Sequence, residues 1–403
     1  MSAASGIFKQ LAYKAEATYG TAPAAAGAQA LRRVQSTIDL SKDTYQSNEI
    51  RTDFQVADFR HGVRKVSGKI SGELSCRTYA DFFSAILKRE FTAGVSAAGL
   101  GLTISGTGPT YTVARDTGSF LTDKFKVGDI VRLSVGALNA ANINRNLLIV
   151  SLTATDATVM PLNGGTLVAE GPITGCTVSV PGKKTWIPQA GHTDKSFAIE
   201  HWYSDIGQSE LFTGCKASKL SMALPPTGMA TIDMDVIGQN MTPAAAQYFS
   251  APTAQTTTGV LAAVNGVCRI AGQAVANLTG LSFDVNANFK GDPVVGSNIV
   301  PTQYPGRVQV SGQATAYFDN VALRDAFLNE SEIDLIGAFT ADNTAAAPAI
   351  AFAMPRIKLG GSTKNDGENG LVQTIPFTAL LNVAGGDGTD TELTTLTVQD
   401  TEA

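Results

Sequence analysis

The sequence predicts a mainly β protein with two homologous β-sandwich or β-barrel domains, each flanked by one helix, and a small β-domain inserted in the first. Three features favour this fold: the composition, an internal repeat, and the alternation of apolar with polar residues. Only 16% of the 403 residues are charged and 40 are Gly, which is typical of strands and turns. The chain also exceeds the size at which one core usually stops growing, so we expect two or more domains.

An internal repeat relates the two predicted domains. Residues 65–69 (KVSGK) match residues 309–313 (QVSGQ), and Ser67 matches Ser311 at an offset of 244 residues. The same offset matches Phe83 with Phe327 and continues into the next segment. Chance rarely holds one register over such a distance, and we therefore expect a duplicated unit.

The order of predicted elements is the same in both copies. Each copy begins with a hairpin that carries an unusually long loop, continues with a helix, and ends with three strands. The first copy has strands at 31–40 and 63–76, a helix at 78–89, and strands at 197–203, 216–224 and 229–237. The second has strands at 277–286 and 307–318, a helix at 321–328, and strands at 333–339, 349–359 and 371–383, with a polar loop at 360–370.

A block without a counterpart in the second copy separates the first helix from the third strand. Its segments 125–131, 144–152 and 158–162 predict a small β-barrel or sandwich. Whole domains are tolerated at exposed loops whose ends lie close together, so we expect an external insertion. The predicted boundaries are 1–91 with 185–245 for a discontinuous first domain, 92–184 for the insert, and 246–403 for the second domain.

The alternation predicts sheets with one buried and one solvated face. In the strand at 63–76, Val66 and Ile70 fall on one face, and Lys69 and Glu73 on the other. The next hairpin repeats this pattern, with Leu220, Met222, Leu224, Ile232, Met234 and Val236 inward and Lys219, Ser221, Thr231, Asp233 and Asp235 outward. Any half-solvated sheet gives such a pattern, but two homologous copies suit a ring whose polar faces line a common channel.

Charge and termini limit the possible partners and compartments. A net charge of −5 and a pI near 5.3 argue against a protein that wraps nucleic acid, which requires basic patches. The start of the chain lacks the order of a secretory signal, and apolar runs are shorter than the ~20 residues of a membrane span. We therefore expect synthesis and folding in a cytoplasm and no membrane partner.

The residues typical of enzymes and of metal sites do not form recognisable motifs. The three His residues lie far from one another, and His201, beside Trp202 in a predicted strand, is expected to pack. Asp233 and Asp235 resemble a D-x-D metal pair, but strand alternation already explains their spacing. The four Cys residues are widely spaced and are predicted to be reduced and buried. The sequence therefore predicts no enzyme, no cofactor and no metal site.

Five short segments outside the inserted block form a recognisable series. They are residues 8–21 (FKQLAYKAEATYGT), 47–53 (SNEIRTD), 212–216 (FTGCK), 225–226 (PP) and 375–378 (IPFT). No single motif is diagnostic, but in this order the segments resemble the major tail tube proteins of long-tailed, siphovirus-like bacteriophages, in particular the large type with two tube domains in one chain.

The resemblance implies a structural virion protein that polymerises as stacked rings. The rings would have sixfold or pseudo-sixfold symmetry, and two tube domains per chain predict a trimeric ring. The implied partners are other copies of the chain, tape-measure protein, tail-tip and tail-terminator proteins, and DNA that passes without specific binding. Assembly would take place in the host bacterial cytoplasm. The alternative is a virion decoration or receptor-binding β-sandwich protein, which would stay discrete.

The resemblance also assigns roles to two surfaces. The loops at 41–61 and 289–304 would contact the neighbouring ring, where their charges suit ion pairs, although plain solvated surface is the alternative. The candidate inter-ring residues are Asp43, Glu49, Arg51, Asp53, Asp58 and Arg60. Glu73, Asp233 and Asp235 are the candidate lumen residues, because an acidic wall would keep DNA from adhering during ejection.

Overall fold

The computed structural model describes residues 3–274, 278–366, 368 and 370–403. Within these ranges the protein is mainly β, as predicted, with 26 strands and two α-helices. Seven positions lie outside the described residues: Met1 and Ser2, residues 275–277, of which Asn277 is the predicted start of a strand, and Gly367 and Asn369 in a predicted loop.

The elements follow one another along the chain in four groups. The first is β1 Lys9–Ala15, β2 Gln29–Ala30, β3 Gln35–Ser36, β4 Asp39–Gln46, β5 Phe59–Glu73, α1 Ala80–Ile86 and β6 Thr92–Ala93. The second is β7 Ser96–Ser105, β8 Tyr111–Arg115, β9 Ile130–Ser134, β10 Leu147–Leu152, β11 Asp156–Pro161 and β12 Glu170–Ser179. The third is β13 Lys183–Trp186, β14 Phe197–Tyr203, β15 Gln208–Leu224, β16 Thr231–Gly238 and β17 Asn240–Ala244. The fourth is β18 Gly266–Ile270, β19 Gln273–Ala274, β20 Leu278–Asn286, β21 Gln309–Tyr317, α2 Ala322–Leu328, β22 Ile333–Thr340, β23 Ala349–Leu359, β24 Thr363–Lys364, β25 Val372–Ala379 and β26 Thr397–Asp400.

Several predicted elements of the first copy have other bounds in the structure, such as the strand at 216–224, which is the second half of β15, and two of them differ most. The strand predicted at 31–40 is divided into β3 and β4, and β4 extends beyond that range. The ladder with β5 keeps one register across the gap, since Ser36 lies opposite Ile70 and Asp39 opposite Ser67, and in the gap a Cβ atom at Gly68 would lie 2.5 Å from the Ile38 Cα. The helix predicted at 78–89 is confined to α1, since Lys88 turns the chain with a φ of 60°.

The same strand order occurs twice in the sheet. It forms two groups of four strands, called quartets below. In the first quartet, β5 lies between β4 and β16, and β16 pairs with β15. In the second quartet, β21 lies between β20 and β25, and β25 pairs with β23. Ser67 is opposite Asp39 on one side and Ile237 on the other. Its sequence match, Ser311, is likewise opposite an Asp residue, Asp284, and opposite Thr378. The 244-residue offset is therefore also a structural register.

The two quartets join edge to edge within the chain. The second half of β15 pairs antiparallel with β20, from Lys219 opposite Asn286 to Leu224 opposite Leu281. Ser221 lies opposite Asp284 in this ladder, and the Lys219 Nζ is 3.0 Å from the Asp284 carboxylate. One continuous sheet therefore runs through both quartets.

A second layer covers the apolar face of each quartet. The first half of β15 pairs with β14 and β17, and the first half of β23 pairs with β22 and β26. Apolar side chains of both layers and of α1 form one core that includes Phe82, Phe197, Phe283 and Phe352. The polar faces of the quartets are thus the faces left open.

Strands β7–β12 form a closed barrel with a core of its own. Its two connections to the rest of the chain lie side by side, since β6 and β13 pair with Thr92 opposite Lys184. The barrel sits against the second copy, where Ile130 and Leu148 share a small apolar cluster with Ile336 and other residues of β22 and β23. Contact is close, because a Cβ atom at Gly128 would lie 2.6 Å from the Ala353 Cβ.

A different segment covers the corresponding place on the first copy. The ladder of β14 with β15 and the ladder of β22 with β23 each shift their register by one residue near the start of β14 and of β22. When the two ladders are superposed at this shift, Glu200 of β14 corresponds to Ile336 of β22. Glu200 is fully buried, and its carboxylate accepts the backbone N–H groups of Tyr248 and Phe249 at 2.5 and 2.9 Å. The segment after β17 therefore takes on the first copy the position that the barrel takes on the second.

Candidate functional site

The hairpin of β4 and β5 extends beyond the rest of the first quartet. Its ladder continues to Gln46 opposite Phe59, whereas β16 pairs with β5 only from Val66 onward. Residues 47–58 connect the two arms and are called the hairpin tip below. The arms are exposed on most of their surface, so ladder hydrogen bonds rather than a hydrophobic core hold them together.

Most of the charged candidates for inter-ring pairs already have partners inside the hairpin. The ion pairs are Arg51–Asp53 at 2.6 Å, Asp58–Arg60 at 2.9 Å and Asp43–Lys65 at 2.8 Å. The hydrogen bonds from Arg51 lower the pKa of the exposed Asp53 carboxyl, and the Phe59 N–H and Arg60 lower that of Asp58. Glu49 lies exposed on the tip. The structure thus brings together these residues within one copy, and their contact with a neighbouring ring stays a prediction.

The sequence reasoning missed the apolar side chains of the hairpin tip. Ile50 and Phe54 are fully exposed, and Val56 is mostly exposed. Phe54 also has a φ of 58°, which is rare for a bulky residue. The second copy's loop at 287–308 exposes Val295 in the same way. These apolar residues could be seen in a predicted polar loop, but their exposure depends on how far the hairpin extends.

The opposite end of the first quartet also exposes apolar groups. Met229, in the turn between β15 and β16, is half exposed and forms a β-bridge with Ala262. Val264, in the 3₁₀ helix Ala263–Asn265, is 77% exposed. Beside them lies a cavity of about 170 Å³ whose nine lining residues are uncharged, among them Leu224, Pro226, Ala263, Leu278, Leu281 and Phe339.

The three candidate lumen residues share the open polar face of the first quartet. Asp233 is opposite Ser71, Asp235 is opposite Lys69, and Glu73 is opposite Thr231 in adjacent strands. This face is not uniformly acidic, because the Lys69 Nζ lies 3.3 Å from the Asp233 carboxylate. The pair of Lys219 with Asp284 adds a second compensated charge at the junction of the quartets. Charges of both signs therefore lie on this surface, and its place in a channel stays a prediction.

Each end of the continuous sheet has an open edge. In the described part of the chain, β4 pairs with β5 alone and β24 pairs with β25 alone. Residues 36–41 along β3 and β4 form one edge, and residues 361–366 around β24 form the other. Open edges of this kind can accept a strand from another chain.

His201 lies in an arrangement that formally resembles a catalytic triad. Its Nε2 is 2.8 Å from the Ser36 Oγ, and its Nδ1 is 3.7 Å from a Glu210 carboxylate oxygen. His201 has no exposed surface, its pKa is lowered mainly by burial, and its ring packs edge-on against Phe212 at 4.9 Å. A substrate cannot reach a group so enclosed, and the expectation that His201 packs is confirmed.

The remaining chemistry-bearing groups form no recognisable site in the ranges that the structure describes. These ranges contain no cluster of three or more His, Cys, Asp or Glu residues that could hold a metal ion. All four Cys residues are free and buried, as predicted, and burial raises the pKa of Cys268 to about 12. Neither of the described helices has the length and apolar character required to cross a bilayer.

Comparison with protein families places the chain in a known family. A family model described as phage tail tube protein matches residues 9–379, from the first residue of β1 to the last residue of β25. The match therefore spans both quartets and the barrel. No curated protein matches the chain.

Proposed function

Because this chain belongs to the phage tail tube protein family and is a structural protein of the virion tail, we propose that it forms the tube as stacked trimeric rings with pseudo-sixfold symmetry. The proposed tube domains are residues 1–91 with 185–245, and 246–403, with residues 92–184 inserted. The junction of β15 with β20 is the observation that carries this proposal, because it shows how one quartet continues into the next.

The repeat specifies which residues would make the same junction between chains. Ile237 and Thr378 correspond to each other, because they lie opposite the matched residues Ser67 and Ser311. Their partners on the other side, Lys216 and Lys358, therefore also correspond. Both ladders then slip by one residue, so that residues 219–224 of β15 correspond to residues 361–366. The β20 residues 281–286 correspond to residues 36–41 by the shared pairing of Asp284 and Asp39.

These corresponding segments are the two open edges of the sheet. Residues 361–366 of one chain would pair antiparallel with residues 36–41 of the next, with Thr363 opposite Asp39 as Ser221 is opposite Asp284. Three chains supply six quartets, and closure through this junction leaves no open edge. The polar faces would then line the channel, since the second layer covers the apolar faces.

The polar face suits the passage of tape-measure protein and of DNA without specific binding. Glu73, Asp233 and Asp235 would lie on the channel wall, and Lys69 and Lys219 are compensated by carboxylates at 3.3 and 3.0 Å. Paired lysines are poor counterions for phosphate, so DNA would find no basic track. Tail-tip and tail-terminator proteins would bound the tube, which would assemble in the host bacterial cytoplasm.

Disulfide trapping tests the proposed ring junction. In Asp39→Cys/Thr363→Cys protein, oxidation should link chains into covalent trimers, because the four native Cys residues are buried. The matched control is Ser221→Cys/Asp284→Cys, which has the same register within one chain and should form an intrachain disulfide. An intrachain disulfide in the control without interchain links in the test variant would contradict the junction.

Negative-stain electron microscopy across a concentration series tests the tube itself. Hollow, striated tubes whose rings contain three chains by mass are expected. Rings of six chains would refute the trimer, and particles that stay discrete would favour a decoration or receptor-binding protein instead.

A further inference from the structure

We infer that rings of this protein stack through an apolar contact in which the hairpin tip of one copy, centred on Phe54, docks against Met229 and Val264 of a second copy. This inference rests on the proposed tube and names the contact that joins its rings. The charges of the long loops suggest ion pairs between rings, whereas the contact inferred here is stabilised by burial of apolar surface.

The two surfaces lie at opposite ends of β5. The hairpin tip precedes Phe59, the first residue of β5, and the N–H of Leu74 at the other end donates to the Ala230 carbonyl at 2.8 Å, next to Met229. Fifteen residues of extended chain separate these ends by about 45 Å. Contact between opposite ends is heterologous, so each added copy leaves a new end free for the next.

The hairpin tip offers apolar groups and few unpaired charges. Arg51 and Asp53 pair with each other at 2.6 Å, and Asp58 pairs with Arg60 at 2.9 Å, whereas Glu49, the third acid of the tip, lies exposed. Phe54, at 99% exposure, would gain by leaving water. Its positive φ is a strained backbone state for this residue type, and such states concentrate at functional positions.

The second long loop of the chain lies beside the first hairpin. The loop at 287–308 is tied to β5, because the Arg64 N–H donates to the Asn298 carbonyl at 2.8 Å. Val295 in this loop is fully exposed. It would add a second apolar side chain to the contact.

The receiving end has the matching chemistry. Met229 and Val264 are exposed beside the cavity of about 170 Å³, and none of its lining residues carries a charge. Leu224 and Leu281, which line it, are the last paired residues of the β15–β20 ladder, so the cavity is continuous with the junction between the quartets. An aromatic side chain at this position would be buried against both quartets of the neighbouring ring.

Substitution of the central tip residue tests the inference. Phe54→Asp should raise the protein concentration required for tube formation at least about tenfold, or abolish tubes, because a carboxylate would be buried in an uncharged site. The matched control is Val135→Asp on the barrel, which is also exposed and has a φ of 61°, and it should form tubes like wild type. Circular dichroism and the Asp39–Thr363 trap establish that both variants fold and form rings.

The outcomes separate this inference from the proposed function. Wild-type protein without tubes overturns both, whereas wild-type and Phe54→Asp tubes at equal concentration overturn only the stacking contact. A mixture of Phe54→Cys and Met229→Cys proteins treated with a short bismaleimide should give crosslinked pairs that neither variant gives alone. Equal crosslinking by Phe54→Cys alone would indicate a tip-to-tip contact and refute the head-to-tail arrangement.

Discussion

Asp129 and Lys184 form a buried ion pair where the barrel meets β6 and β13, the two strands that connect it to the rest of the chain and are called the stem below. The replacement Asp129→Ala should strongly destabilise the protein. The two side chains are 2% and 5% exposed, with 2.5 Å between the carboxylate and the Lys184 Nζ. The second Asp129 oxygen accepts the Lys126 N–H at 3.0 Å. Burial raises the pKa of Asp129, and Lys184 opposes this rise because it favours the charged carboxylate.

Removal of this carboxylate leaves Lys184 with Glu392 alone, at 3.7 Å. The loss of one partner from a buried ion pair costs about 3–5 kcal/mol, and the unpaired N–H adds about 1 kcal/mol. We therefore expect the free energy of unfolding to fall by about 4–6 kcal/mol. Urea unfolding followed by fluorescence suits this measurement, because Trp186 lies in the stem strand that carries Lys184.

Two controls isolate the buried charge as the cause. Asp129→Leu/Lys184→Met, which removes both charges and keeps apolar volume, should recover most of the lost stability. Lys124→Ala, which removes an ion pair with Asp387 that is exposed on both sides, should change stability by less than about 1 kcal/mol. A loss below about 1 kcal/mol in Asp129→Ala, or no recovery in the double variant, would refute the reasoning.

Three further perturbations follow from the structure. Burial raises the pKa of Asp400 to about 6, so the stability that its protonated form contributes is complete below about pH 4 and is lost as the pH rises through 6. In urea titrations, wild type should therefore lose about 3 kcal/mol of unfolding free energy between pH 4 and 7 relative to Asp400→Asn, and parallel pH profiles of the two proteins would contradict this. Gly68→Ala places a methyl group 2.5 Å from the Ile38 Cα and should lower thermal stability by an amount equivalent to about 1–3 kcal/mol, whereas an unchanged melting temperature would show that the edge can move. Deletion of residues 48–53, which shortens the tip next to Phe54, should leave a folded, soluble protein that forms no tubes, and tubes seen by negative stain would show that stacking does not require these six residues.

Buried strands were predictable because apolar runs bounded by polar turns indicate a strand covered on both faces. The strands at 197–203 and 349–359 were predicted with the bounds that the structure has, and both are apolar along most of their length. β4 was misplaced because its arm is exposed and carries no such pattern. The attachment of the barrel depends on contacts such as the Gln399 side chain with the Ile130 backbone at 2.8 Å, which join residues far apart in sequence.

A long loop in the first hairpin was predictable from the sequence, but the contacts and exposure of its side chains were not. Arg51 and Asp53, like Asp58 and Arg60, are two residues apart, a spacing that places their side chains on one side of extended chain and favours pairing within the loop. The exposure of Phe54 follows from the hairpin's reach, which depends on backbone hydrogen bonds rather than on residue type. The open edges at β4 and β24 became recognisable only once β15 and β20 were seen to pair.

The unequal coverage of the two copies has a consequence for the outside of the tube. The barrel occupies β22 and β23, whereas a short peptide segment held by Glu200 occupies the matching place on the first copy. A ring of three chains would therefore have an inner wall that repeats every 60° and an outer surface that repeats every 120°. In such a ring the barrel could change in sequence without altering the strands that form the inner wall.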